Sequence, residues 1–367
     1  MPPTDWTTLH GDAFAGTKAL VTGGAGFIGS HLCEALTVLG ADVVVLDDLS
    51  GSAGRWTNLD GFFTGQKIRG SVLDPAAVGD ATAGCALVFH QAALGSVPGS
   101  IEDPRQYQRV NVEGTLNVLE AARAVGVRRV MFAASSSAYG DAPTQPKIET
   151  MPAQPLSPYA ATKVAGEALM QAYAHSYATP ATPASTPANQ HATSGGGSGG
   201  GGGPDTINLR YFTIFGSRQN ANSAYAAVIA AFARALLAGE RPVIYGDGEQ
   251  SRDFTHVDNA VHANLLAAAP APGSDDPPRR FNGTICNVAG GRRVTVNQLA
   301  AAMARSLGKA ELTPVYRLAR AGDVKHSVAD LAAARQAFGY EPVVDFDAGL
   351  AHTVAWYAGQ PQTLPHV

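Results

Sequence analysis

Tyr159 and Lys163 lie four residues apart in SPYAATKVAGEAL, 24 residues after Ser135. Four residues is about one helical turn, so a phenol and an ammonium at this spacing leave a helix on the same face. A nearby ammonium favours phenolate over phenol, which predicts a Tyr159 pKa drawn toward neutrality. Such a tyrosine is equipped to take the proton from an alcohol while a hydride leaves the same carbon. A motif this short also occurs by chance on surface helices. The elements that would have to position it decide between the two readings.

The first of them occupies residues 18–48. KALVT (18–22) is a short apolar, β-branched run that reads as a buried strand and leads directly into GGAGFIG. Gly23, Gly26 and Gly29 follow at three-residue spacing, and Ile28, Leu32, Ala35, Leu36 and Leu39 then recur with helical period. A second strand, ADVVVL, ends in Asp47 and Asp48. In this order Gly23 permits a tight turn, Gly26 lets backbone approach a pyrophosphate, and Gly29 lets the helix pack on the strand. The helix N-terminus offers free N–H groups to the phosphates. Asp47 stands where an acid binds the adenosine ribose hydroxyls, and an acid there selects NAD over NADP.

Composition fits a globular enzyme of 367 residues, 45% hydrophobic, long enough for two or three domains. A net charge of −4 gives no basic footprint for nucleic acid. Cys33, Cys85 and Cys286 show neither metal spacing nor a disulfide framework, Cys33 and Cys286 fall in apolar stretches, and no metal is expected. His90 ends the strand ALVFH without a metal partner nearby in sequence. The opening MPPTDWTTLHGD has no apolar leader and no stretch is long enough to cross a bilayer, so the cytoplasm is the expected location.

Strands are expected at 18–22, 42–46, 66–69, 86–90, 129–134 and 206–211, and helices at about 27–39, 104–125 and 158–178. That alternation implies a parallel sheet with helices on both faces, binding ligand beyond the carboxyl ends of its strands. The chemistry-bearing groups follow those ends: the glycine turn, Asp47, Asp74, QAALGSVP and SSSAYG. Residues 179–204 break the pattern, with eight glycines within 195–203 and four prolines overall. Such a segment cannot bury enough apolar surface to offset its ordering entropy and reads as a flexible linker. It joins a helix to the next strand, TINLRYF, so it is an insertion on the side of the sheet away from the crevice.

Taken together, the motifs TGGAGFIGSH (22–31), DDLSG (47–51), HQAALGSVP (90–98), SSSAYGD (135–141), SPYAATKVAGE (157–167), LRYFTIFG (209–216) and GDGEQSRDFTHVDN (246–259) resemble one family. The chain is similar, over about residues 16–358, to extended short-chain dehydrogenases/reductases of the NAD-dependent sugar-nucleotide epimerase/dehydratase kind. AYAAVI (224–229) and RAGDVKHSVAD (320–330) bring it nearest to UDP-N-acetylglucosamine 4-epimerases. The resemblance implies a Rossmann-type doubly wound parallel α/β sheet over 1–215. It also implies a smaller α/β domain over 216–367, mainly for substrate, with segments returning to the first. Ser135, Tyr159 and Lys163 would be catalytic. Gly23, Gly26, Phe27, Ile28, Gly29, Asp47, Asp74, Ala92, Lys163 and Tyr211 would contact NAD. Ser96, Ser136, Ser137, Tyr159, Thr213, Tyr225, Ala226, Val228, Arg252, Arg320, Asp323 and Ser327 would line a UDP-sugar site.

The activity implied is reversible C4 epimerisation through a 4-keto sugar, in a homodimer joined by helices near 104–125 and 158–178. Dehydratases of the superfamily carry an Asp-Glu pair after the catalytic Ser/Thr, where this chain has Ser136 and Ser137. Glucuronate epimerisation and decarboxylation stay open on the resemblance, because phosphate-binding arginines do not reveal the hexose. A non-catalytic NAD sensor of the same fold is the other alternative, opposed by retention of the Tyr/Lys pair. Thr213 stands where the family usually has asparagine, which keeps a hydroxyl but loses the two-donor amide. Ser327 matches the family's position beside the sugar 2-substituent, where a tyrosine restricts related enzymes to non-acetylated hexoses.

Overall fold

The computed structural model describes residues 4–51, 54–177, 203–220, 228–269, 280–318 and 325–359. In chain order come α1 (Trp6–His10), β1 (Lys18–Thr22), α2 (Phe27–Val38), β2 (Asp42–Asp47), β3 (Gln66–Arg69) and α3 (Pro75–Thr82). Next are β4 (Leu87–His90), α4 (Val97–Glu102), α5 (Pro104–Gln108), α6 (Gly114–Val125), β5 (Arg129–Ser135), α7 (Pro158–Ser176) and β6 (Asp205–Tyr211). The remainder opens with β7 (Ile214–Phe215), α8 (Val228–Leu237), β8 (Val243–Tyr245), β9 (Ser251–Asp253), β10 (Thr255–His256) and α9 (Val257–Ala268). It closes with β11 (Thr284–Val288), β12 (Arg293–Thr295), α10 (Val296–Ser306), β13 (Val315–Arg317), α11 (Ala332–Phe338) and α12 (Phe346–Ala358).

Seven strands make one parallel sheet in the order β11-β6-β5-β4-β1-β2-β3. Strands β4 and β5 are buried along their whole length and β1 from Ala19 onward, which is why their interiors read as apolar runs. Side chains alternate between faces. Ala19, Val21, Val43 and Val45 join one core with α2 and α9, while Leu20, Val44 and Leu46 join another beneath α3, α6 and α7. The order reverses at β1, between β2 and β4, and the crevice outside the carboxyl ends at that point is where such sheets bind ligands. A separate core gathers α8, α10 and α12 with Phe215, Ile244 and Phe254. Among the described residues no helix is long and apolar enough to cross a membrane.

The six expected strands form, and β11 is a seventh that the sequence reading did not include. Short helices α3 and α4 were likewise not anticipated; each starts on a side-chain cap, Asp74 to the Ala76 amide and Ser96 to the Gly99 amide. The helix expected at 104–125 forms as α5 and α6 joined by a π turn at Arg109–Glu113. The 179–204 insertion lies almost wholly outside the described residues. Its flanks meet, the Gly203 amide donating to the Tyr177 carbonyl. They do so where β6 begins, Asp205 pairing with Arg129 at the start of β5, on the amino edge of the sheet.

Candidate active site

The turn after β1 is built so that side chains cannot enter it. Gly23 has φ +69°, and a Cβ there would sit 2.8 Å from Cα of Ala92 in the loop after β4. A Cβ on Gly29 would lie 2.2 Å from the Gly23 carbonyl oxygen, far inside contact distance. Both positions therefore require glycine, one for backbone conformation and one for the approach of α2 to the turn. Gly26 is the N-cap of α2 and supplies no side-chain cap, so the first amides of α2, over half-buried Phe27 and Ile28, keep their donors for an anion.

Asp47 closes β2 at 8% exposure, its carboxylate accepting from the amides of Ala25 (2.9 Å) and Leu49 (2.8 Å). Burial raises its pKa, and the two backbone bonds oppose the rise. Tyr211, at the end of β6, accepts from Asn264 Nδ2 (2.6 Å) and donates to Gln91 Oε1 (3.3 Å). A buried glycine cradle that any Cβ would fill, beside a carboxylate at the next strand end, fits a dinucleotide. Asp74 is further out, exposed and capping α3.

Ser157 caps α7 by accepting from the Ala160 amide, and Pro158 sits at its first position. These residues fix Tyr159 in the first helical turn and Lys163 in the second. Ser135 ends β5 and its hydroxyl accepts from the Ser137 amide (3.2 Å) and the Ser137 hydroxyl (2.8 Å). The structure corrects one expectation about this pair. Tyr159 has its pKa raised rather than drawn toward neutrality: burial dominates, a hydrogen bond with Ser135 opposes it, and Tyr107 adds to the rise. Lys163 does not supply the expected pull because its ammonium is turned toward β5. It donates to the Ala133 carbonyl (2.8 Å) and lies 5.1 Å from the centre of the Phe132 ring.

Two groups to which sequence reasoning gave no role at the site, Asn111 and His90, lock this arrangement. Asn111, in the π turn, accepts from the Leu94 amide (2.8 Å) and donates to the Leu94 carbonyl (3.1 Å) and Thr162 Oγ1 (3.0 Å). It thereby ties the loop after β4 to α7 between Tyr159 and Lys163. His90 bridges Thr22 (2.8 Å) and Thr115 (2.9 Å). Because the Thr115 hydroxyl donates to the Asn111 carbonyl, His90 donates from Nε2 and accepts at Nδ1. Burial lowers its pKa to about 3, so it is neutral at neutral pH.

Of the residues expected around a sugar nucleotide, Ser96 caps α4 and its amide donates to the Tyr107 hydroxyl (3.2 Å). Ser136, Ser137, Thr213, Val228, Arg252 and Ser327 are all half-buried. Arg252 donates to the Ser251 carbonyl (3.0 Å), and the Ser327 amide donates to the same oxygen (3.1 Å), joining the 325–329 strip to β9. Tyr225, Ala226, Arg320 and Asp323 lie outside the described residues.

A doubly wound sheet with a glycine turn at its switch point and a Ser-Tyr-Lys set at the neighbouring strand ends defines a nicotinamide-dinucleotide-dependent enzyme of the short-chain dehydrogenase/reductase type. Residues 19–190 and 197–283 match the profile of the NAD dependent epimerase/dehydratase family, and the chain belongs to that family. Its cofactor is NAD. The UDP-glucose 4-epimerase of Mycolicibacterium smegmatis is 36% identical over 350 residues, 94% of this chain and 100% of that one. A solved UDP-N-acetylglucosamine 4-epimerase from Methanobrevibacter ruminantium, in complex with UDP-N-acetylmuramic acid, superposes with a TM-score of 0.79 at 35% identity, covering 94% of this chain and 99% of its own. The UDP-glucose 4-epimerase of Thermus thermophilus, solved in complex with NAD, has a TM-score of 0.76 at 32% identity over 94% and 99% of the two chains.

Proposed function

We propose that the protein interconverts UDP-N-acetylglucosamine and UDP-N-acetylgalactosamine at C4, and accepts UDP-glucose and UDP-galactose as well. The observation that carries this reading is the placement of Ser135 at the end of β5 and of Tyr159 and Lys163 one turn apart on α7, Ser135 acting on the Tyr159 phenol, with hydroxyls instead of carboxyl groups at positions 136 and 137. Without an acid at those positions the site has no group to expel a 6-hydroxyl, which favours epimerisation over dehydration. The likeness to UDP-sugar 4-epimerases over nearly the whole chain supports the same choice.

Gly23, Gly26, Phe27, Ile28, Gly29, Asp47, Asp74, Ala92, Lys163 and Tyr211 would hold NAD, which supplies a reversible hydride acceptor when bound. Tyr159 takes the proton from the sugar 4-hydroxyl and returns it after the sugar has presented its other face. Ser135 has a single proton to donate: given to the phenolate in the free site it favours the basic form of Tyr159 against burial, and given to the sugar 4-oxygen once substrate is bound it holds the reacting atom. Lys163, anchored on Ala133, adds a fixed positive charge to the site. Arg252 and Arg320 offer paired donors suited to a diphosphate.

Sugar choice rests on Ser327. A small half-buried residue leaves room beside the sugar 2-substituent, and a tyrosine ring would fill it. Ser327→Tyr is therefore expected to abolish turnover of the two N-acetylhexosamine nucleotides while sparing UDP-glucose and UDP-galactose, a steric penalty on one pair alone. Incubation of both enzymes with each sugar nucleotide, with products assigned by NMR, checks it; equal activity of the variant on both pairs removes the basis for the N-acetyl preference.

Deleting residues 182–202 is expected to leave the turnover number nearly unchanged, since the flanks at Tyr177 and Gly203 are on the amino edge of the sheet. Shortening a loop lowers its closure cost by about 0.6 kcal/mol per halving, so any stability change should be small and favourable. A folded deletion variant with strongly reduced turnover would place the segment at the site.

A further inference from the structure

One turn beyond Lys163 on α7, Glu167 forms a two-pronged ion pair with Arg210 of β6, at 2.7 Å to Nε and 2.8 Å to Nη2. The two side chains are 4% and 3% exposed, and the guanidinium lies 4.6 Å from the centre of the Tyr139 ring. A buried pair of this kind contributes little net stability over apolar residues of the same shape, because both ions lose their water. Its placement is more informative than its strength. Lys163 is itself buried at 4% exposure, with the neutral Ala133 carbonyl as its hydrogen-bond acceptor. Burial disfavours the charged form of an amine so placed.

The titratable and charged groups around it come from four elements. Tyr159 and Glu167 share α7, with Tyr107 of α5 acting on Tyr159. Strand β4 brings His90, held neutral by burial and by the Lys163 charge. Strand β6 brings Arg210 and Tyr211, the latter pushed up to about 12 and so uncharged. Glu167 is thus the anion of this set, and it supports the ammonium: burial lowers Lys163 to about 8, and attraction to Glu167 opposes the fall. Arg210 in turn holds the Glu167 carboxylate in place through both of its oxygens.

We propose that the buried Glu167–Arg210 ion pair is a charge-positioning device for Lys163, its carboxylate end fixed one helical turn along α7 as the counter-charge to the buried ammonium. The inference rests on the reading of Lys163 as a working part of the site. Glu167 and Arg210 are positioning residues, acting through Lys163.

The test follows the titration of Lys163 directly, by NMR of the purified protein carrying 13Cε-labelled lysine, with Lys163→Met to assign the signal. Glu167→Gln removes the anion and leaves Arg210 as an uncompensated cation. Its Lys163 midpoint should fall by about one pH unit or more, and the alkaline limb of the epimerisation profile should move with it. In Glu167→Gln/Arg210→Met, which leaves no unpaired charge, the midpoint should lie between those of Glu167→Gln and the unaltered protein. If the single variant does not fold, the double variant carries the test by the same lowered midpoint. A folded variant lacking Glu167 in which Lys163 titrates as before overturns the proposal and leaves the pair as packing. A midpoint that falls while the activity profile stays put upholds the electrostatic role and overturns the assignment of Lys163 as a required cation.

Discussion

Tyr159→Phe should keep the fold and the cofactor and lose epimerisation by roughly 100- to 10,000-fold, the usual cost of removing a positioned acid or base. The substitution deletes one oxygen at a half-buried position whose ring packing phenylalanine reproduces. Its hydroxyl is held by Ser135, and that hydroxyl retains a second partner in Ser137, so no buried polar group is orphaned. The thermal midpoint should accordingly change little, while the rate of C4 inversion, followed by NMR on UDP-N-acetylglucosamine, falls by orders of magnitude. A variant that binds NAD and turns over at the unaltered rate would remove Tyr159 from the chemistry.

Gly29→Ala should do the reverse, damaging the scaffold and the cofactor site together. The new methyl would stand 2.2 Å from the Gly23 carbonyl oxygen and 2.8 Å from the Gly23 carbonyl carbon and Gly24 Cα, all of them backbone atoms that no side-chain rotation can move aside. Relief requires α2 to withdraw from the turn, at a cost of about 1–3 kcal/mol or more. It also displaces the uncapped first amides of α2, which are proposed to hold the cofactor's phosphates. Gly79→Ala in α3 is the matched control: nothing lies within 4 Å of its Cβ position, and alanine in a helix is favoured by about 1 kcal/mol. Thermal unfolding and NAD titration should therefore fall together for Gly29→Ala, while the midpoint of Gly79→Ala rises slightly. Normal NAD affinity in Gly29→Ala would show that the turn tolerates a side chain.

What could be read from the sequence, and what could not, follows from how each signal is encoded. Strands β1, β2, β4 and β5 were legible because burial on both faces makes their interior residues an apolar run. Strand β11 was not, because TICNV carries Asn287 as its fourth residue and the run looks interrupted. That amide is wholly buried and satisfied from outside the strand, by the Tyr139 hydroxyl and the carbonyls of Lys147 and Asp330. No periodicity rule anticipates partners so distant in sequence. Helices α3 and α4 are eight and six residues long, too short for periodicity, and their caps at Asp74 and Ser96 were instead assigned to ligands. At the site, the four-residue spacing placed Tyr159 and Lys163 on one helix correctly. The spacing holds no information about burial or about the Ala133 carbonyl, and these set the sign of the Tyr159 shift.

The contact between Tyr177 and Gly203 also has a practical side. Two chain ends joined by a backbone hydrogen bond, at the rim opposite the cofactor, form a doorway of fixed width into which other polypeptide can be spliced. Domains whose own termini lie close together are tolerated at such places. A fluorescent or affinity module inserted there would report on this protein from within its own chain.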